Sequence, residues 1–152
     1  MLVRWMLAAL HLIALGIGLG AVWARARALR GALDAQGLRR AFYADSWWGI
    51  AALVWIATGL VRLLGGLEKG TAYYLHNHLF LMKMALLALV LALEILPMVS
   101  LIRWRIAQGR GQPVDTSRAP LYARISLVQA VLIIAMVFAA TAMARGLGMP
   151  RG

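Results

Sequence analysis

Residues 73–97 read YYLHNHLFLMKMALLALVLALEILP, an apolar run with His76 and His78 at its entrance, Lys83 inside it and Glu94 near its far end. At roughly 100° per residue, His76, Phe80, Lys83, Leu87, Val90 and Glu94 share one stripe of a helix, because steps of three and four return to the same face. An ionisable side chain inside hydrocarbon is costly and normally faces a bundle interior or a cavity. This stripe is therefore the first place to look for function.

The remaining chain supplies its surroundings. Of 152 residues, 63% are hydrophobic and 14% charged, and mean hydropathy is +0.80. A soluble domain is nearer half apolar and a quarter charged, so the excess is lipid-facing. Further apolar runs extend from Leu2 to Trp23, Tyr43 to Leu64 and Leu121 to Met143. Each has about 20 residues, enough to cross ~30 Å of hydrocarbon at ~1.5 Å per residue. Together with Tyr73 to Pro97 they predict an all-α integral membrane four-helix bundle, a single transmembrane domain over residues 1–152.

The net charge of +11 would suggest nucleic acid in a soluble protein. Here the arginines sit at helix ends, so the expected partner is the lipid bilayer with its anionic headgroups, and not nucleic acid. The first loop holds Arg25, Arg27, Arg30, Arg39 and Arg40, and the third holds Arg103, Arg105, Arg110 and Arg118, with Arg124 just beyond. The other side offers Arg4, Arg62, Lys69, Arg145 and Arg151. The positive-inside rule then places loops one and three in the cytoplasm of a bacterial inner membrane and both termini in the periplasm. The opening MLVRWMLAALHLIALGIGLGAVWARARALR resembles a secretory signal. Its apolar run is too long for one and an Arg cluster follows, so it is read as helix one.

Helix one carries His11 about ten residues deep, and Arg4, His11, Gly18 and Arg25 recur at sevens on one face. A glycine below a buried histidine leaves room for something bulky or for a close neighbour, and Gly16 and Gly20 form a small-xxx-small pair. The histidine itself either hydrogen-bonds across the bundle or ligates a cofactor. The first loop extends helix one and then turns along the surface at Gly31 and Gly37. Helix two is expected to begin near Asp45 and Ser46, an N-cap pair, with Trp47 and Trp48 at the interface. Arg62, seven beyond Trp55, lies level with Arg4 above His11, and Tyr73 and Tyr74 mark the opposite interface. Pro97 is expected to kink or end helix three, with a polar loop before helix four starts after Pro120. Ala135 and Ala139 give helix four a close-packing face, for lipid or for a homo-oligomer partner.

The polar groups fall into two layers. Asp45 and Glu94 in the inner layer are expected to pair structurally with the arginines of loop three. The outer layer holds Arg4, His11, Arg62, His76, His78 and Lys83, imidazoles beneath a cationic rim. Haem b asks for this combination: iron takes a neutral imidazole, a bundle interior encloses the macrocycle, and the propionates need Arg or Lys near water. The absence of cysteine excludes disulfides, thiolate ligands and thioether-linked haem. Zinc or copper would accept three histidines, but neither carboxylate nor thiolate stands beside them and no fixed spacing recurs. His76 and His78 are two apart, about 200° around a helix, so they cannot both bind one iron. His11 with either His76 or His78 is the expected metal-ligating pair of a cytochrome b type protein. One-electron transfer with a quinone or an oxygen species follows as the expected activity. The alternative is a small non-redox transporter or assembly protein using Lys83 and Glu94. No HExxH, glycine-rich phosphate loop or nucleotide fingerprint is present.

The run DSWWGIAALVWIATGLVRLLGGLEKGTAYYLHNHLFLMKMALLALVLALEILPMVSLIRWR, with ALHLIAL and the Arg-rich first loop, resembles the bacterial membrane family called domain of unknown function 2214. The likeness covers nearly the whole chain. It is carried by Asp45-x-x-Trp48-Gly49, Thr58-Gly59-x-x-Arg62, His76-Asn77, Lys83, Glu94-x-x-Pro97 and Trp104-Arg105. More distantly, the histidine in its ALH context and the lysine of helix three are similar to HemJ-type protoporphyrinogen oxidases and copper-resistance membrane domains. That resemblance implies haem b or copper. Loop lengths and the surroundings of the histidine depart from the oxidase pattern, so oxidase activity does not follow from it.

Overall fold

A computed structural model describes residues 2–65 and 76–148. Within them the chain forms α1 (Leu2–Arg30), α2 (Ala35–Leu64), α3 (His78–Gly109) and α4 (Ala119–Ala144). Each contains a window long and apolar enough to cross a membrane. Tyr73 and Tyr74, expected at the interface, lie outside the described residues, as do Lys69 and Arg151.

The helices outrun the apolar stretches that identify them. α3 has 32 residues, about 48 Å at ~1.5 Å per residue, well beyond the hydrocarbon thickness. The arginine clusters consequently ride on helical ends. This moves three expected boundaries. α2 starts at Ala35 and not near Asp45, because Asp34 takes the N-cap, its Oδ1 accepting from the Gly37 N–H at 2.7 Å. The α1–α2 reversal is confined to residues 31–34, and a Cβ at position 37 would collide with the Ala32 carbonyl oxygen, so the turn requires glycine. Pro97 does not end α3, which runs on to Gly109. In apolar surroundings a helix is the only local way to satisfy the backbone, so proline is absorbed within it. The third loop shrinks to residues 110–118, and Pro120 stands in the first turn of α4, where a missing N–H costs nothing.

α1 packs against α2 and α4, and α3 packs against α4, while the α2–α3 seam is only lightly closed. Leu29, Leu38, Leu101, Trp104 and Tyr122 fill the inner end, Val22, Trp48, Val90 and Ile133 the middle, and Ala14, Trp55 and Met136 the outer end. Ser100 and Tyr122 tie α3 to α4 through a 2.6 Å hydroxyl pair. Leu53, Leu64 and Phe138 are at least 70% exposed, which a bilayer accommodates and water does not. At the outer end Asn77 is the N-cap of α3, its Oδ1 accepting from the Leu79 and Phe80 N–H groups. The same side chain donates to the Leu147 carbonyl and the His78 N–H donates to Gly148, pinning the segment after α4 across the start of α3.

Candidate functional site

Arg25 is 0% exposed and joins all four helices. A guanidinium carries five N–H donors in a planar fork, and every one is engaged here. Nε donates to Ser126 Oγ at 3.0 Å, Nη1 to Asp45 Oδ1 at 2.8 Å and Glu94 Oε1 at 2.7 Å, and Nη2 to Glu94 Oε2 at 2.8 Å and Gln129 Oε1 at 2.9 Å. Gln129 Nε2 in turn donates to Glu94 Oε2 and to the Val90 carbonyl. Asp45 Oδ2 receives Arg105 Nη2 at 2.8 Å, and Arg105 also donates to Ser46 and the Phe42 carbonyl while lying over the Phe42 ring. Two arginines balance two carboxylates. The pairing of Asp45 with Arg105 follows the sequence expectation. Glu94, expected to meet loop three, is instead clasped by Arg25 of α1, since the bidentate fork reaches it across the bundle interior.

The outer layer is organised around His11, which is buried with its Nδ1 2.9 Å from Thr58 Oγ1. The Thr58 hydroxyl is also within donating distance of carbonyl oxygens of its own helix, Val54 at 2.7 Å and Trp55 at 3.0 Å. In the tautomer with the proton on Nδ1, Thr58 Oγ1 accepts from His11 and the ring's lone pair lies on Nε2. Trp55 lies 5.7 Å away at 30°. Gly59 lets the imidazole approach α2, for a Cβ there would stand 3.3 Å from His11 Cε1. Around this histidine opens a cleft of about 530 Å³ walled by Trp55, Gly59, Arg62, Phe80, Lys83 and Met136. A smaller lobe of about 90 Å³ shares most of these walls and extends into the α2–α3 seam beside Ile56 and Leu87. The Trp55 indole N–H is buried without an acceptor among the described residues.

His11, Arg62 and Lys83 thus come together on one cleft. Arg4 is exposed on α1 and does not line it. His76 is exposed in the turn before α3, His78 is exposed at the first helical position, and neither lines the cleft. The stripe that was to begin at His76 begins at Phe80, because Asn77 caps the helix and leaves His76 outside it. Its far half holds: Val90 is buried and Glu94 meets Arg25. Sequence reasoning missed Thr58 as the partner of His11 and Arg25 as the centre of the inner layer. The seven-residue recurrence of His11, Gly18 and Arg25 already set Arg25 on the His11 face of α1. Among the described residues no three of His, Cys, Asp and Glu gather closely enough to hold a metal ion.

Four lipid-length helices enclosing a charge network and a histidine cleft define a multi-pass membrane protein. The chain belongs to the family described as predicted membrane protein, domain of unknown function 2214, whose profile matches residues 3–148. No curated protein and no solved structure matches the chain, so the remoter likeness to HemJ-type oxidases and copper-resistance domains gains no support from these comparisons.

Proposed function

We propose that this is a b-type haem protein of a bacterial inner membrane, with both termini periplasmic, that passes single electrons to or from a quinone or an oxygen species near its outer face. The observation that carries the reading is a buried imidazole fixed through Nδ1 by Thr58 on the wall of a cleft that also presents Arg62 and Lys83. The donor set fits the group. A bare zinc or copper ion needs three or four protein ligands, whereas a porphyrin brings four nitrogens of its own and asks the protein for one or two axial ligands. Bound haem supplies a reversible one-electron change at iron.

The chain's own residues do the rest. Thr58 holds the ring orientation and, by accepting from Nδ1, makes Nε2 a better donor. Arg62 and Lys83 provide positive charge for two propionates, and Trp55, Phe80 and Met136 provide apolar walls. The Arg25 network holds the four helices together beneath the cleft. His76 and His78, exposed just before and at the start of α3, are the further imidazoles that would be available as a second ligand. A proton or ion path using Lys83 and Glu94 would have to break the bonds Glu94 makes with Arg25 and Gln129. The test is the visible spectrum of protein expressed with ample haem and purified in detergent, before and after dithionite. A Soret band with a sharp α band on reduction, lost in His11→Ala, is expected. Absence of the band, or its survival in that variant, overturns the proposal.

A further inference from the structure

A second cavity, of about 740 Å³, lies along the α1–α2 hairpin next to its turn. Its wall on α1 descends from Ile17 through Gly20 and Ala24 to Arg27, ten residues or about 15 Å of helix. On antiparallel α2 the matching wall runs from Trp47 to Arg40. The groove is therefore apolar at one end and cationic at the other. Its middle is open, since a Cβ at Gly20 meets nothing within 4 Å. Tyr43 and Trp47 stand edge to face at 6.3 Å and 71°, an aromatic rail along the α2 wall of the groove. At the cationic end Asp34 also lines the groove, its Oδ1 accepting from the Gly37 N–H, so one carboxylate stands beside two guanidiniums and the mouth carries a net positive charge. Among the described residues neither Arg27 nor Arg40 makes an ion pair.

We infer that this groove binds one anionic phospholipid, its phosphate between Arg27 and Arg40 and an acyl chain along Gly20 and Ala24 beside Trp47. Charge complementarity at the mouth and the change of polarity along one 15 Å wall select this occupant over a free anion, which would leave the apolar end unused, and over an uncharged lipid, which would leave the net positive charge of the mouth unbalanced. The inference is independent of the His11 cleft, which lies towards the other end of α1.

Native mass spectrometry of the full chain in detergent, with phosphatidylglycerol or phosphatidylcholine added, reads the retained lipid. Two basic residues offset by one carboxylate near a membrane surface give a preference for the anionic lipid of about fivefold. Arg27→Gln with Arg40→Gln removes the two guanidinium charges, and Gly20→Phe places a ring in the groove from a position where a Cβ meets nothing within 4 Å. Both are expected to abolish the preference, with helix content followed by circular dichroism as the check on folding, whereas Arg124→Gln, an exposed arginine on α4, keeps it. A preference that persists in both variants overturns the inference. So does displacement of phosphatidylglycerol by inorganic phosphate, which would mark an anion site rather than a lipid site.

Discussion

Replacing Arg25 by methionine keeps most of the side-chain volume and deletes the charge at the centre of the bundle. Five hydrogen bonds disappear. At roughly 1.5–3 kcal/mol for each bond to a charged group their sum would exceed the stability of most domains, so simple addition overstates the loss. Two features limit it. Asp45 retains Arg105, and Glu94 retains the Gln129 amide. The expected cost is that of removing one partner from a buried pair, about 3–5 kcal/mol. Unfolding in mixed micelles titrated with sodium dodecyl sulfate, followed by circular dichroism, measures it. Glu94→Gln supplies the other edge of a double-mutant cycle, because it removes the charge that Arg25→Met strands. The double variant should be more stable than the sum of the single losses by about 0.5–3 kcal/mol. A single variant within about 0.5 kcal/mol of the parent, or strictly additive losses, would show that the network carries none of the packing of the four helices.

Other substitutions probe the turn and the cleft separately. Gly37→Ala should destabilise by about 1–3 kcal/mol through collision with the Ala32 carbonyl, measured by the same titration. Gly59→Leu drives a side chain into the His11 ring and should abolish haem retention while helix content is preserved, read by absorbance and circular dichroism together. Thr58→Val removes the acceptor for His11 Nδ1, weakens the donor strength of Nε2 and should raise the midpoint potential in a spectroelectrochemical titration.

The four spans were legible in sequence because lipid imposes length and hydropathy on each crossing segment. Their ends were not. Asp45-Ser46 has the local chemistry of an N-cap, but Asp34 has it too, and the tight reversal that Gly37 permits gave the cap to Asp34. Asp45 was thereby freed to face the bundle. Arg25, Arg27 and Arg30 looked alike as interfacial charges; only Arg25 lies on the His11 face, and that face turns into the bundle. The cation and histidine of the cleft were found at sequence level because intramembrane ionisable residues are rare. The hydroxyl and the glycine that shape it, Thr58 and Gly59, were visible only as part of a family-like motif. His76 and His78 were drawn to the site by residue type, whereas backbone capping at Asn77 decides where they stand.

The proposal that His11 ligates a haem iron can be tested by exchange. His11→Gly, expressed with haem and purified in detergent, is expected to lack a Soret band, and added imidazole should restore the band together with the reduced α band as the free ring occupies the space beside Thr58 and Gly59. A Soret band in His11→Gly without imidazole, unchanged when imidazole is added, would contradict the assignment of His11 as the ligand and of this cleft as the haem site.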